Sequence, residues 1–204
     1  MAKKELHIIS TGKQSIEKFV KIAGQIHEYA DYFHIREKHL NARQLSEVID
    51  LLTVKGVPLS KIIVNDRVDV AVIQGISGVQ LAYHSLDVKV VKQFFPRLKV
   101  GKSTHSNQEV KSAYESGADF GLFGHIFTTT SKPGLEPKGI VELATISKNT
   151  SLPIIAIGGI KPNHVRDVIQ AGASGIAIMS GVLEANNPLQ AVKEYACELE
   201  GGSK

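Results

Sequence analysis

One histidine of eight in this 204-residue chain stands where it could move protons. His125 follows Phe123-Gly124 directly, at the end of an apolar run. An imidazole titrates near neutral pH, so it can both take and return a proton there. The same residue type also serves as a hydrogen-bonded rim side chain, and position alone does not separate the two. His105, in Ser103-Thr104-His105, and His84, after Tyr83, have similar settings. His34 lies inside an apolar run and is expected to point inward as a hydrogen-bonded core residue. His7, His27, His39 and His164 read as structural or solvated. No histidine falls at metal-ligand spacing with the one cysteine, Cys197, so no zinc site is expected. Cys197 itself reads as a small helix residue.

A second chemistry is anion binding. Gly158-Gly159 and Met179-Ser180-Gly181 each follow an apolar run. Glycine lets backbone N–H groups approach a phosphate closely, and a following helix start adds partial positive charge. Tight turns alone would also explain these glycines. Lys132, closing Thr128-Thr129-Thr130-Ser131-Lys132, is the candidate countercharge. Arg36 and Lys38 place two cations at one run's end, suited to a carboxylate or a diphosphate, with Glu37 between them to balance charge.

These residues need a scaffold. Eight short runs, mostly β-branched or aromatic, recur along the chain: Leu6–Ser10, Tyr32–Arg36, Lys61–Asn65, Gly78–Ala82, Lys99–Ser103, Phe120–Gly124, Pro153–Gly158 and Gly175–Ser180. Between them apolar residues repeat at helical spacing, as in Ile16, Phe19, Val20, Ala23 and Ile26. Ser106 with Glu109 reads as a capping box, Pro162 and Pro188 as helix starts, and Gly56, Gly117 and Gly172 as helix stops. Eight strand–helix units predict a single (β/α)₈ barrel over residues 1–204, with a frayed tail at about 201–204. An open doubly wound sheet is the alternative. Barrels keep their chemistry at the C-terminal strand ends and often bind phosphate after strands 7 and 8. The candidate residues gather on that rim.

Composition excludes other classes. Apolar runs are far shorter than the ~20 residues of a spanning helix, and the N-terminus shows no signal-peptide pattern. The net charge of +4 is spread over scattered lysines, not a basic stripe, so neither nucleic acid nor membrane is an expected partner. A basic balance suits an anionic small substrate. A lone cysteine fits a reducing compartment, and a cytoplasmic location is expected. Oligomeric state is left open, a homo-oligomer among the options.

The ordered set His34-Ile-Arg-Glu-Lys38, Val64-Asn-Asp-Arg67, Gly101-Lys-Ser-Thr-His105, Phe123-Gly-His-Ile-Phe-Thr-Thr-Thr-Ser-Lys132, Ala156-Ile-Gly-Gly-Ile160 and Gly175-Ile-Ala-Ile-Met-Ser-Gly181 resembles the thiamine phosphate synthase superfamily of (β/α)₈ barrels. In the synthases this resemblance implies the joining of a pyrimidine diphosphate to a thiazole phosphate with magnesium, the metal held by aspartates after strands 3 and 4. Asp66 matches the first, and Ser85 stands at the second. His34 replaces a glutamine, and His125 a proline. These departures resemble the TenI-type branch of thiazole tautomerases, which aromatise a thiazole carboxylate phosphate.

The resemblance therefore implies an isomerase with His125 as its acid/base, needing neither cofactor nor metal. Its substrate's phosphate is expected on Gly158, Gly159, Thr129, Ser131, Lys132, Met179, Ser180 and Gly181. Arg36, Lys38, Ser103 and His105 are expected to line the carboxylate end. The alternatives are a magnesium-dependent thiamine phosphate synthase and a non-catalytic regulator on the same fold.

Overall fold

Each apolar run is short and closed by a turn residue, and each becomes a strand. The computed structural model describes residues 3–131 and 134–201. Its strands are β1 (Glu5–Ile9), β2 (Tyr32–Ile35), β3 (Ile62–Asn65), β4 (Gly78–Leu81), β5 (Lys99–Thr104), β6 (Phe120–Gly124), β7 (Ile154–Ile157) and β8 (Gly175–Ile178). The helices are α1 (Ile16–Ile26), α2 (Ala42–Val54), α3 (Val68–Gln74), α4 (Val88–Phe94), α5 (Asn107–Glu115), α6 (Gly139–Lys148), α7 (Val165–Gln170), α8 (Ser180–Leu183) and α9 (Pro188–Leu199). The strands pair in parallel in chain order and close, β8 against β1. This is a (β/α)₈ barrel, and the open sheet is excluded. Among the described residues no helix is long and apolar enough to cross a membrane.

Side chains alternate across each strand, so the barrel has two cores. Outward residues such as Ile8, Phe33, Val64, Val79 and Phe123 are buried against helix residues such as Phe19, Ile49 and Leu143. Each large apolar side chain so buried contributes roughly 1.5–3 kcal/mol. Inward, Ile9, Ile63, Phe120, Leu122, Ile155 and Ala177 form a smaller plug. Gly101 makes room for it, since a Cβ there would lie 2.2 Å from Phe120 Cζ.

The plug also holds a polar chain. His7 Nδ1 sits 2.9 Å from His34 Nε2, and His7 Nε2 sits 3.0 Å from Glu5 Oε2. Both rings are fully buried. Burial pushes both imidazoles down, His34 well below its ordinary value, while the bond to Glu5 partly restores His7.

Local signals hold with two differences. Gly56, Gly117 and Gly172 take left-handed φ of 86°, 86° and 96° at helix ends. Pro162 opens a single 3₁₀ turn, Pro162–His164, before α7, not α7 itself. Ser106 Oγ does accept from Glu109 N (3.2 Å), but the Glu109 carboxylate turns to the backbone N–H of His105 (2.8 Å), so only half of the capping box forms.

Candidate active site

The C-terminal strand ends enclose a cavity of about 1200 Å³. A pocket for one drug-sized ligand is typically ~300–1,000 Å³, so this one has room for two small molecules. Its floor is Ile9, Leu122, Ile157 and Ala177, the top of the barrel plug.

At the β2 end, Arg36 and Lys38 line the cavity. Ser10 Oγ accepts from the Arg36 backbone N–H (2.8 Å) and fixes that bend. Glu37 is buried and faces His39 (3.9 Å), leaving neither cation paired with a carboxylate among the described residues. Thr11 and Lys13, after β1, extend this end.

Beyond β3, Asp66 adopts a left-handed φ of 67°, costly for a residue with a Cβ. Its carboxylate is half-exposed and lies 4.0 Å from His84 Nε2. Tyr83 packs edge-on against that imidazole, ring centroids 4.9 Å apart. Ser85 Oγ does not face the cavity: it accepts from the Ala82 N–H of its own turn (2.8 Å). Arg67 lines the cavity too but is held by Asp69 (2.9 Å).

On β5, Ser103 Oγ receives the Gln80 amide (3.1 Å), and just beyond it His105 Nδ1 lies 3.3 Å from Glu109. On the far wall, His125 is buried and its Nε2–H donates to the Leu135 carbonyl (3.3 Å). The loop after β6 is pinned at its base by Lys138 N–H to His125 O (2.8 Å) and Gly139 N–H to Ile126 O (3.0 Å). Thr129 and Ser131 of that loop line the cavity, and Lys132 lies outside the described residues.

Gly158 and Gly159 have φ of 98° and 66°. A Cβ at Gly158 would fall 2.3 Å from His125 Cβ, so the imidazole backbone and this glycine require each other. Met179, Ser180 and Gly181 complete that side. The structure thus brings together every described residue expected from sequence. It adds Thr11, Lys13, Lys161 and Tyr195 to the lining. Lys13 and Lys161 sit on loops that the strand-end rule also covers, after β1 and β7. Tyr195 comes from a helix and carries no such signal.

The magnesium implied by the fold family finds one half-exposed carboxylate here, Asp66; Glu37, the other carboxylate of the lining, is buried and faces His39. Among the described residues no three His, Cys, Asp or Glu side chains converge on a metal position. Magnesium is commonly held by one or two carboxylates plus substrate phosphate and water. Asp66 therefore fits a cation that arrives with a diphosphate, not a resident one.

A sequence model described as "Thiamine monophosphate synthase" matches residues 6–182. A thiamine-phosphate synthase of Chloroflexus aurantiacus is 39% identical over 164 residues, 78% of this chain and 74% of that protein. One of Chlorobium phaeovibrioides is 39% identical over 178 residues, 85% and 84% of the two chains. The solved thiamine phosphate pyrophosphorylase of Pyrococcus furiosus superposes with a TM-score of 0.82 at 28% identity, covering 97% and 96%.

These relatives overturn the expectation of a thiazole tautomerase: they are synthases, transferases and not isomerases. The geometry explains why two departures misled. Losing one aspartate leaves a magnesium–diphosphate site workable. The His125 Nε2–H donates to the Leu135 carbonyl, and its Cβ lies where a Cβ at Gly158 would clash, contacts that a rim histidine makes without any proton transfer.

Proposed function

Because the chain belongs to the thiamine monophosphate synthase family, we propose that it is a transferase joining a pyrimidine diphosphate to a thiazole phosphate. The observation that carries this reading is one 1200 Å³ cavity lined by Arg36 and Lys38 after β2 and by the Gly158-Gly159 and Ser180-Gly181 turns after β7 and β8. Arg36 and Lys38 hold the diphosphate, with bidentate and point-charge contacts respectively. The backbone of Gly158, Gly159 and Gly181, with Thr129, Ser131 and Ser180, holds the thiazole phosphate across the mouth. Met179 lies on the apolar wall at that end, and Ser103 and His105 border the space between. Lys132 is the candidate countercharge in the same loop.

The thiazole attacks the carbon bearing the diphosphate. The carbon–oxygen bond breaks, and diphosphate leaves with the electron pair. Charge builds on the leaving group, so fixed cations aimed at it lower the barrier. Magnesium held by Asp66 would neutralise that same charge. The walls orient the two partners, which converts a bimolecular encounter into a local one.

The test is a coupling assay on purified protein with both substrates, with and without EDTA. Product that needs both substrates and is lost in EDTA supports the transferase. Binding of both anions with no coupling would refute it. That outcome would fit a barrel that has kept its pocket and lost its chemistry, and the inward turn of Ser85 is the one observation on that side.

A further inference from the structure

We propose that Tyr195, on the last helix, is a positioning residue for the phosphate end of the cavity. The proposal rests on reading Gly158-Gly159 and Gly181 as that end. The hydrogen bonds of the sheet stop short of it. The last paired residues of β7 and β8 are Ile157 and Ala177. Beyond them no ladder hydrogen bond joins the two loops among the described residues.

One hydroxyl spans that gap. Tyr195 is 3% exposed and lines the cavity. Its O–H donates to the Ile160 carbonyl at 3.0 Å, which ties it to the β7 loop just after Gly159. On the other side the hydroxyl oxygen occupies the space beside Gly181, where an added Cβ would lie 2.6 Å from it. A single buried group thus lies between the two glycine loops, bonded to one and filling the space beside the other. The donor needs its partner, because an unsatisfied buried hydroxyl is costly. The ring is anchored beside the buried Val192 on α9, so the bridge has a rigid base.

The probe is inorganic phosphate, titrated into the full-length protein and followed by ³¹P NMR. Tyr195→Phe keeps the ring and removes the bridge. We expect its phosphate Kd to rise about tenfold while the melting temperature moves by only a few degrees. If the protein turns over, KM for the thiazole phosphate rises and kcat holds, a split that general core loosening would not give. Gly181→Ala perturbs the same contact from the other loop, by driving a methyl into the hydroxyl. In the double variant the oxygen is gone, and the nearest remaining atoms are Ile178 Cγ2 at 3.2 Å and the ring Cζ at 3.5 Å.

If one contact is at stake, the double variant binds phosphate no worse than Tyr195→Phe alone. Fully additive losses, near a hundredfold, would mean that the positions act separately and would overturn the proposal. Wild-type affinity in folded Tyr195→Phe would also overturn it. Should Tyr195→Phe not fold, wild-type affinity in Gly181→Ala refutes the bridge and a tenfold loss there supports it. A wild-type protein that binds no phosphate is a different failure, of the phosphate-end reading itself.

Discussion

The buried His7–His34 pair makes stability depend on pH with a calculable sign and size. His7 Nδ1 and His34 Nε2 lie 2.9 Å apart inside the barrel, so one proton can lie between these two nitrogens and a second has no place there. Tyr32, Lys99, Glu5 and Phe120 surround the pair. Burial pushes both imidazoles below 6.5 in the folded chain, His34 further than His7. The unfolded chain therefore binds more protons below that value. Stability is complete above about pH 6.5 and is lost as the pH falls. A group that stays neutral when folded and titrates normally when unfolded costs about 1.4 kcal/mol at about pH 5.5, and two cost about 2.7. Glu5 assists protonation of His7, so most of the effect belongs to His34. For a chain of this size each kcal/mol moves the melting temperature by about 2–4 °C. Urea unfolding at pH 7.5 and 5.5 (about the two ends of the window) should show wild type losing up to ~2.7 kcal/mol. His34→Gln should lose about 1.4 kcal/mol less, since an amide does not titrate. If the two proteins lose stability in parallel, the pair is not the origin of the acid sensitivity.

Arg36→Gln should raise KM for the pyrimidine diphosphate by about 10- to 100-fold, the scale of a lost charge-assisted hydrogen bond. It should leave thiazole phosphate binding unchanged, read by separate titrations of the two ligands. Ser85→Asp restores a carboxylate where the synthases carry one. Measured as rate against magnesium concentration, it should lower the half-saturating magnesium concentration, provided the new side chain leaves the Ala82 turn. Gly158→Ala forces a methyl to 2.3 Å from His125 Cβ at a φ of 98°. It should cost about 2–4 kcal/mol in urea unfolding and weaken phosphate binding with it.

The barrel was readable because its signal is redundant. Eight β-branched runs and the glycines at 56, 117 and 172 all demand the same alternation, and an error of one or two residues at a strand end moves nothing. The rim site was readable for a related reason: barrel topology sends every residue just after a strand to one face. That logic applied equally to Lys13 after β1 and Lys161 after β7, which line the cavity beside the expected residues. Tyr195 was not readable. It sits three residues after Val192 on α9 with the spacing of an ordinary core face, and only the tertiary fold brings its hydroxyl to Ile160, 35 residues away in sequence.

His125 and Ser85 show what residue types alone leave open. Position left His125 open between a proton carrier and a rim side chain, and the resemblance supplied the proton; the fold adds what the side chain touches. Here the Nε2–H is occupied by a carbonyl ten residues on, and the Cβ is locked against a glycine from the next strand's loop. Ser85 stands where the resemblance implies a metal ligand, yet a cation can take its missing oxygens from a diphosphate, and Arg36 and Lys38 line the same cavity. Both departures are single positions in a cavity whose lining also carries Arg36 and Lys38 at one end and the Gly158-Gly159 and Ser180-Gly181 turns at the other. Substrate-held charge can replace one ligand. Among the described residues the Tyr195 hydroxyl is the side chain bonded to the β7 loop and set beside Gly181, which is why its removal is expected to matter more to phosphate binding than the missing aspartate.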